Sequence, residues 1–593
     1  MKAREYLGKY LKPEAGRIFL IIISVTIYVV SLLLSPLIFS FIIDNLIKLL
    51  PIKDMFVQKI ADALGGVQYL RNHLWIGFAA IVLINIVNAF FNFLKGRYNA
   101  VVSEQIAEKM RNDLYEHLQY LPYSFHQKNK SGELIQKCTS DVEQIRRFIA
   151  NQISEMAFSL LISSIALVVL FNINPRLTLI SVAGMPFVII VAVWFFTSMQ
   201  KVFLASDEAE GALLNVIQEN LQGIRVVKAF NKEQLETERF AQHTDEFNRT
   251  TFKVIKLQGW YWSLTDAFCL FQILATIIFG IFFAKTGDIS TGDFYVFITY
   301  QMMILWPIRM LGRIIADMGK MFVSARRLGD ILAQEAEDIQ SGEKPELNGD
   351  IVFKDVYFKF DDGDTHALQG IDLTIKARET TAIMGPIGSG KSTLVHLLCR
   401  LYDCSEGEIT ISGHDIKTIA KGHLRKNIGI VLQEPFLFSK TIEENIKISV
   451  PAANNKAIEK AAKIASVHEV IAGFDSGYDT MVGERGVTLS GGQKQRISIA
   501  RVIINNVKIL IFDDSLSAVD SETDLQIRKA LKELAYGMTT IIITHRCDSA
   551  FDADKIVILE NGKITQSGTH RQLVKKTGFY KKIYNLQKLQ GGK

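Results

Sequence analysis

Long apolar runs dominate the first 320 residues of the chain and are absent from the rest. Six of these runs are long enough to cross a hydrocarbon core as a helix, which takes about 20 residues. One such run fits a buried core helix, but six in succession predict a membrane domain. The predicted spans lie near Ile18–Ile43, Leu74–Leu94, Glu155–Phe171, Leu177–Met199, Ser263–Phe283 and Phe294–Ile315, of which the third and sixth are the least cleanly apolar.

The connections between these spans alternate between short and long. "NINPR" joins spans three and four and "AKTGDISTGD" joins five and six, whereas the other two internal links run to some sixty residues each. "VVSEQIAEKMRNDLYEHLQYL" in the first long link has apolar residues at helical spacing, so we expect the spans to continue as helices beyond the membrane. The long links and the N-terminus are rich in Lys and Arg, and the positive-inside rule predicts that they face the cytoplasm.

The pattern changes after Met321. "SARRLGDILAQEAEDIQSGEKPELNGD" is charged and polar and contains Gly and Pro breakers, which indicates a domain boundary. From Ile351 onward, β-rich runs such as "TTAIMG", "KILIFDD" and "MTTIIITH" alternate with helical ones, and this alternation predicts an α/β domain with a largely parallel sheet. We therefore expect a membrane domain over residues 1–325, a linker over 326–348 and an α/β domain over 349–593.

Composition agrees with a membrane protein. Hydrophobic residues make up 49% of the chain, and a formal charge of +6 over 593 residues is explained better by basic residues beside membrane spans than by nucleic-acid binding. The 5 cysteines are scattered without a CxxC motif, which argues against a disulfide framework or a zinc site. The N-terminal "MKAREYLGKYLKPEAGR" has no apolar core before the first span, so we expect no signal or transit peptide.

The α/β region contains a phosphate-binding loop. "TTAIMGPIGSGKSTLVHLLCR" places Gly385-x-x-x-x-Gly390-Lys391-Ser392 after a predicted strand and before a predicted helix, which is the context this motif requires. Glycines let backbone N–H groups surround phosphates, and the following helix points its positive end at them. Lys391 would supply charge to the β- and γ-phosphates, and Ser392 a hydroxyl to Mg²⁺.

A second candidate element is "ILIFDDSLSAVD", in which an apolar strand ends in two adjacent carboxylates. Asp513 is placed to hold Mg²⁺ through water, as the corresponding aspartate does in P-loop NTPases. Asp514 follows where a carboxylate can orient or deprotonate the attacking water. Two solvated acids at a turn would not need the buried-looking strand that precedes them.

"LSGGQKQR", Leu489 to Arg496, resembles the signature sequence of ATP-binding cassette (ABC) proteins. The remaining cassette elements follow by resemblance: Phe360 matches the aromatic that stacks on adenine, Gln433 the Mg²⁺ and water sensor, and His545 the switch histidine. "GERG" resembles the loop before the signature and "SAVD" the turn after the strand. The site residues that this resemblance and the motifs indicate are Phe360, Gly385, Pro386, Ile387, Gly388, Ser389, Gly390, Lys391, Ser392, Thr393, Gln433, Ser490, Gly491, Gly492, Gln493, Asp513, Asp514 and His545.

Together with six spans, the resemblance covers nearly the whole chain and implies an ABC exporter half-transporter. The implied fold is an all-α six-helix transmembrane domain followed by an α/β P-loop (RecA-like) ATPase domain, which carries an antiparallel β part and a helical subdomain. The implied cofactors are ATP and Mg²⁺. Two halves would pair head to tail, with ATP between the P-loop of one and Ser490 and Gly492 of the other, and the long links would form coupling helices. The partners are then a second half-transporter, the bilayer and an amphipathic cargo, in a bacterial plasma membrane.

The chain departs from the family at Asp514, where the usual residue is Glu. The shorter side chain would leave the carboxylate about 1 Å short, and a misplacement of that size can cost about 100-fold in rate. This resembles the impaired subunit of bacterial heterodimeric multidrug exporters, so we expect a partner that carries a glutamate at this position. The alternative is a homodimeric exporter or flippase of lipid or peptide, in which small backbone shifts compensate for the short acid.

Clues to the cargo are few. Polar residues within the spans indicate function or helix-to-helix hydrogen bonding, and Asp266 is the candidate substrate residue because a single acid in a cavity could attract cationic amphiphiles. An alternative of another class is a nucleotide-gated regulatory or channel-like membrane protein. The intact signature and His545 argue against purely passive nucleotide binding.

Overall fold

The computed structural model describes residues 3–52, 55–360, 363, 365–483, 486–515, 523, 526–527, 529–530 and 538–590. The chain divides into two compact units. The first comprises Met1–Gln119 and Asn129–Glu335, and the second comprises Ala336–Lys593 together with the short segment Tyr120–Lys128. That segment comes from the first long link, so this piece of the link packs with the α/β region.

The first unit is entirely helical in its described part. Six continuous helical stretches are long and apolar enough to cross a membrane, which confirms the prediction from the hydrophobic pattern: Ala3–Ile47, Trp75–Tyr120, Ser131–Ile173, Pro175–Gln222, Glu233–Thr286 and Thr291–Leu332. Short π-helical and 3₁₀ turns divide some of them. The α-helices up to the boundary are α1 Ala3–Leu11, α2 Ala15–Phe41, α3 Met55–Ala63, α4 Gly66–Asn72, α5 Trp75–Tyr120, α6 Tyr123–Lys128, α7 Ser131–Gln136, α8 Val142–Arg147, α9 Ile153–Ile173, α10 Pro175–Val182, α11 Met185–Gln222, α12 Ile224–Ala229, α13 Glu233–Thr286 and α14 Thr291–Leu332.

Helices α5 and α13 continue far past their apolar segments, to 46 and 54 residues. In the polar half of α5, Val102, Ile106, Met110, Leu114 and Leu118 are buried. Residues four apart lie on one face of a helix, so this stripe packs inside the unit while the charged residues between them stay outside. The prediction that the spans continue as helices is confirmed.

The sixth span, α14, packs most heavily against its neighbours. In its most apolar window 56% of the residues are buried, compared with none in the window of the second span. A helix surrounded by other helices does not need a lipid-facing apolar surface, which explains why the sixth span is less apolar in sequence. Its N-terminus is fixed by Ser290, whose hydroxyl accepts a hydrogen bond from the Asp293 N–H in a capping box.

The second unit contains two sheets in its described part. The strands are β1 Ile351–Phe358, β2 Leu368–Ile375, β3 Thr380–Met384, β4 Glu406–Ile411, β5 His414–Asp415, β6 Ile428–Val431, β7 Ile509–Asp513, β8 Thr539–Ile543, β9 Lys555–Glu560 and β10 Lys563–Gly568. An antiparallel sheet has the order β2-β1-β4-β5, and a second sheet has the order β10-β9-β3-β8-β7-β6. The second sheet is parallel from β9 to β6, with β10 antiparallel at its edge. The predicted α/β fold is confirmed.

Helices cover the parallel sheet and form a separate cluster beside it. They are α15 Lys391–Leu398, α16 Lys421–Asn427, α17 Ile442–Lys447, α18 Asn455–Ile464, α19 His468–Ala472, α20 Gly491–Ile503, α21 Cys547–Ala550, α22 His570–Leu573 and α23 Phe579–Gln590. Strands β7 and β8 are buried along their whole length. Continuous apolar runs such as "TTIII" are what a strand covered on both faces requires.

Glu337 anchors the segment that enters the second unit. Its carboxylate accepts hydrogen bonds from Arg425 (2.6 and 2.9 Å) and Lys421 (2.9 Å), and its backbone N–H donates to the carbonyl of Tyr120 (2.6 Å). Burial alone would raise the pKa of Glu337, but the hydrogen bonds from Arg425 and Lys421 outweigh it and hold the pKa below its usual range. Glu337 is therefore ionised at neutral pH. The contribution of its contacts with Arg425 and Lys421 to stability is lost as the pH falls through the pKa of Glu337.

We predict that Glu337→Gln destabilises the second unit by about 2 kcal/mol, because it leaves two cations in a largely buried site without their carboxylate. Thermal unfolding of the full chain should show the corresponding transition lowered by several degrees. Glu343→Gln is the matched control, since the Glu343 side chain is 61% exposed in its pair with His414. Equal shifts for the two variants would contradict a special role for Glu337.

Candidate nucleotide-binding site

The phosphate-binding loop, Asp514 and His545 follow strands that end at one edge of the parallel sheet. Strand β8 lies between β3 and β7, and its Ile543 is aligned with Ile383 on one side and Asp513 on the other. The chain turns out of β3 into the phosphate-binding loop, out of β7 into Asp514, and out of β8 towards His545. Because the carboxyl ends of parallel strands meet at the same edge, these loops form one crevice.

The loop Gly385–Gly390 has the tight backbone that its glycines allow. Gly385 and Gly390 have φ angles of +156° and +100°. A Cβ atom at Gly385 would lie 2.0 Å from the carbonyl oxygen of Leu559, and one at Gly390 would lie 2.7 Å from that of Ala367. Helix α15 begins directly after the loop, so its N-terminal N–H groups point into the concave side. Ile387 forms the exposed tip of the loop, with 93% of its surface accessible.

Lys391 folds back across the loop. Its ammonium donates hydrogen bonds to the carbonyl oxygens of Gly385 (3.0 Å) and Pro386 (2.7 Å). Burial lowers the pKa of Lys391, while the charges of Asp514 and Asp513 act in the opposite direction. The ammonium is thus held next to the space that a phosphate chain would occupy.

Ser392 and Asp513 are brought together from distant parts of the chain. The Ser392 hydroxyl donates a hydrogen bond to Oδ1 of Asp513 over 3.2 Å. Burial raises the pKa of Asp513, against the lowering effect of this hydrogen bond. A hydroxyl and a carboxylate at this separation are oxygen ligands of the kind that Mg²⁺ takes beside a nucleotide.

The backbone of Asp514 is held in place. Its N–H donates to the carbonyl of Ile543 (3.0 Å), and its φ of +45° lies in the left-handed region, which Asp tolerates better than most residues. The side chain is partly exposed at the crevice. A compensating shift of the Asp514 backbone towards the nucleotide would act against this hydrogen bond.

His545 follows β8 and Gln433 follows β6, the two strands on either side of β7. The carbonyl of His545 accepts a hydrogen bond from Gln587 of α23 (2.9 Å), and burial lowers the pKa of its imidazole, with the charge of Lys391 adding to the effect. The imidazole is therefore neutral at pH 7. Gln433 lies two residues beyond β6 and is exposed.

Phe360 lies in an aromatic cluster that sequence reasoning found only in part. Its ring meets those of Phe358 (4.8 Å) and Tyr402 (5.5 Å) edge to face, and Tyr402 also contacts Tyr123 of α6 (5.7 Å). A cavity of about 700 Å³ borders Phe360 and Tyr402. Tyr402 has no motif around it that would have predicted this position, because it meets Phe360 only through the fold of the chain.

The signature forms the start of α20. Ser490 caps the helix: its hydroxyl accepts from the Gln493 N–H (3.3 Å), and the Gln493 side chain accepts from the Ser490 N–H (2.8 Å). Gly491 is exposed, and a Cβ there would meet nothing within 4 Å. The open helix N-terminus is suited to an anion that comes from outside the chain. The middle residues of "GERG" and all of "SAVD" lie outside the described residues.

The residues present fit ATP and Mg²⁺. The hydroxyl of Ser389 in the loop is buried without a hydrogen-bond partner among the described residues. At Gly385 and Gly390 the surrounding backbone leaves no space for a Cβ atom. Lys391, Ser392 and Thr393 would face the phosphates, Ser392 and Asp513 would hold the metal, and Phe360 would face the base. Bound Mg²⁺-ATP would supply the phosphoanhydride bond whose hydrolysis drives the protein.

Asp266 lies in the first unit and is not a lone acid. Its Oδ1 accepts a hydrogen bond from Arg309 over 2.5 Å, so the carboxylate is paired. Its role in cargo binding stays a prediction, and the pairing changes the charge that it would present.

Comparison with known proteins agrees with these observations. Residues 18–308 match the ABC transporter transmembrane region, and residues 368–517 match the ABC transporter family. A "Putative multidrug export ATP-binding/permease protein" of Staphylococcus aureus (strain NCTC 8325 / PS 47) is 34% identical over 591 residues, covering 99% of this chain and 100% of that protein. The uncharacterized ABC transporter ATP-binding protein YknU of Bacillus subtilis (strain 168) is 36% identical over 527 residues, covering 88% of this chain and 89% of that protein.

The fold comparison points the same way. The structure of a bacterial Atm1-family ABC exporter with ATP bound superimposes with a TM-score of 0.80 and 25% identity, covering 97% of this chain and 98% of that one. A six-helix membrane unit joined to a P-loop ATPase with this signature defines an ATP-hydrolysing membrane transporter. The chain belongs to the ABC transporter family, as an exporter with a transmembrane and an ATP-binding domain.

We predict that Gly385→Ala weakens ATP binding by about ten-fold or more, because the new Cβ would collide with the Leu559 carbonyl and displace the loop. Gly388→Ala is the control: its Cβ would meet nothing within 4 Å, and its φ of +78° carries only the cost of about 1–2 kcal/mol for a left-handed residue. Binding of a fluorescent ATP analogue to the purified chain measures both, with thermal unfolding to verify folding. Equal losses would show that space at Gly385 is not what forms the loop.

Proposed function

We propose that this protein drives the efflux of amphipathic or hydrophobic compounds across a bacterial plasma membrane, as one half of a heterodimer whose own ATP site turns over slowly. The support for efflux is the family and the multidrug-export name of the Staphylococcus aureus relative. The observation that carries the second part is Asp514, at the end of β7, where the family usually has Glu.

The short side chain of Asp514 limits how far its carboxylate can reach. Asp is shorter than Glu by one methylene, and an attacking water must lie within hydrogen-bond distance of the base. The N–H of Asp514 is bonded to Ile543, a residue that also pairs with Asp513 in the sheet. The sheet therefore holds the backbone at Asp513 and Asp514, which opposes a compensating shift. A shortfall of about 1 Å can cost about 100-fold in rate.

The signature of this chain is intact, so it would complete a site on the partner. Ser490 and Gly492 at the exposed start of α20 would bind the ATP held by the partner's loop, and that site would carry the catalytic glutamate. In the slow site, Asp513 and Ser392 would hold Mg²⁺, with Gln433 and His545 beside the γ-phosphate. Two unequal sites in one assembly follow from this division.

Two short helices at the ends of the long links fit the role of coupling helices. Helix α6 packs in the second unit through the rings of Tyr123 and Tyr402. Helix α12 has no buried residue, and Leu221, Val226 and Phe230 around it are 70%, 60% and 70% exposed. An exposed apolar surface of this kind is typical of a protein-binding site. We propose that it binds the ATPase domain of the partner.

The orientation that we propose places the ATPase domain, the long links and the N-terminus in the cytoplasm. The basic residues of the links support it through the positive-inside rule. ATP and Mg²⁺ are then available where the site lies.

We predict that the chain purified alone in lipid nanodiscs hydrolyses Mg-ATP slowly and that Asp514→Glu raises the rate by about 100-fold, since the longer acid restores the reach to the attacking water. Asp514→Asn is the matched control, because it removes the carboxylate and keeps the size. It should turn over no faster than the natural chain.

Brisk hydrolysis by the natural chain that Asp514→Glu hardly changes and Asp514→Asn abolishes would contradict the slow site and favour a homodimer. A copurifying partner chain that lacks the glutamate would also contradict it. Stimulation of hydrolysis by cargo separates a transporter from a nucleotide-gated regulatory protein.

A further inference from the structure

Arg309 is a buried cation in the membrane unit. Its side chain on α14 is 8% exposed, and its Nη1 donates to the Asp266 carboxylate on α13 over 2.5 Å. The guanidinium carbon lies 4.7 Å from the ring centre of Trp262, in a cation–π contact. Ionisable groups at membrane depth are costly and mark functional positions more often than structural ones.

Two of the three guanidinium nitrogens of Arg309 form no hydrogen bond with the described residues. Nε and Nη2 are buried and have no hydrogen-bond partner there. These two nitrogens form the fork that binds a carboxylate, sulfonate or phosphate with two parallel hydrogen bonds. A buried charged donor without a hydrogen-bond partner costs free energy, because it has lost its contacts with water. A ligand that accepts hydrogen bonds from both nitrogens would remove this cost.

A cavity of about 490 Å³ in the same unit lies beside the C-terminal half of α14. Arg313 and Lys320 of α14 line it, together with Arg147 of α8. Among the described residues, neither Arg313 nor Lys320 forms an ion pair. The Lys320 ammonium lies over the ring of Phe203 (5.1 Å) in a cation–π contact.

The two carboxylates of this cavity are already engaged. Asp317 accepts a hydrogen bond from Gln152 over 2.8 Å, and Glu155 is within electrostatic range of Lys95. Gln152 is 7% exposed, and its amide oxygen has no partner among the described residues. The lining therefore carries three cations, Arg147, Arg313 and Lys320, against two carboxylates, Glu155 and Asp317.

Four charged residues of α14, three of them basic, lie along one face of the helix. Arg309, Arg313, Asp317 and Lys320 are spaced by four, four and three residues and so share one face of the helix. Arg313 is about 6 Å along the axis from Arg309, since each residue rises about 1.5 Å. The free fork of Arg309 therefore lies one helical turn from Arg313, a residue that lines the cavity.

Aromatic faces lie beside Arg309. Trp262 stacks on Trp306 at 6.0 Å between ring centres, and the Trp306 side chain is 57% exposed. Flat apolar groups bind such faces by stacking. The site combines donors for an oxyanion with a surface for a planar apolar body.

We propose that this cavity and the Arg309 fork bind an amphipathic cargo that carries an anionic oxygen group, such as a carboxylate, sulfonate or phosphate, on a planar apolar body. This inference rests on the proposed efflux function and names its cargo class. It assigns the recognising charge to Arg309 and Arg313 and gives Asp266 the role of holding Arg309 in place.

The test is direct binding to the full chain in nanodiscs of zwitterionic lipid, without nucleotide. Three matched probes share a pyrene body: 1-pyrenebutyrate (anionic), 1-pyrenebutanol (neutral) and 1-pyrenebutylamine (cationic). Energy transfer from tryptophan to pyrene reports binding, after subtraction of empty nanodiscs. Pyrenebutyrate should bind at least about ten-fold more tightly than the other two, as expected for charge-assisted hydrogen bonds.

Four variants locate the site. Arg309→Gln and Arg313→Gln should each weaken pyrenebutyrate binding by about ten-fold and leave pyrenebutanol unchanged. Arg326→Gln is the control, because Arg326 is an exposed arginine of α14 outside the cavity. Asp266→Asn removes the carboxylate that holds Nη1 of Arg309 and should weaken pyrenebutyrate binding several-fold, because the fork is no longer held in place. Arg313 is exposed, so its variant gives a result even if Arg309→Gln fails to fold.

Tighter binding of pyrenebutylamine than of pyrenebutyrate, with loss of that binding in Asp266→Asn, would overturn the proposal in favour of a cationic cargo. Unchanged pyrenebutyrate binding in Arg313→Gln would overturn it as well. The assay contains no nucleotide, so failure of ATP-driven efflux in a separate vesicle experiment would count against the proposed function and leave the binding result standing.

Discussion

The pairing of β8 between β3 and β7 is the constraint on which the nucleotide site depends. Ile543 is in register with Ile383 and with Asp513, and this alignment brings the phosphate-binding loop and the acidic strand end to one edge. The 3.2 Å hydrogen bond between Ser392 and Asp513 joins residues 121 positions apart and is possible only in this register. A shift of one residue would turn each side chain to the other face of the sheet.

The same alignment limits what Asp514 can do. The hydrogen bond from its N–H to Ile543 is part of the sheet edge that places Asp513, so the two acids cannot be adjusted independently. Burial around Lys391, Asp513 and His545 keeps the site in a low dielectric, where correctly placed charges act strongly. Under the proposed function, the missing methylene of Asp514 lowers the rate of hydrolysis and leaves nucleotide binding in place.

Local patterns in the sequence were sufficient for much of this architecture. The six spans, the α/β alternation and the loop Gly385–Ser392 each depend on short-range periodicity or spacing, and all appear in the structure. Contacts made by distant parts of the chain could not be predicted in this way. Tyr402 meets Phe360, and Arg309 pairs with Asp266, only because the fold brings them together. Neither Tyr402 nor Arg309 lies in a motif. The lone acid inferred from sequence at Asp266 is therefore one half of an ion pair.

The most direct measurement is a structure of the natural chain in its native assembly with Mg-ATP bound, at a resolution that shows the attacking water. The account predicts ATP retained in the site of this chain, with Ser392 and Asp513 at the metal and no carboxylate oxygen of Asp514 within about 3.2 Å of the water, the limit for a hydrogen bond. An Asp514 oxygen within that distance, with its N–H still bonded to Ile543, would contradict the claim that the short acid leaves this site slow.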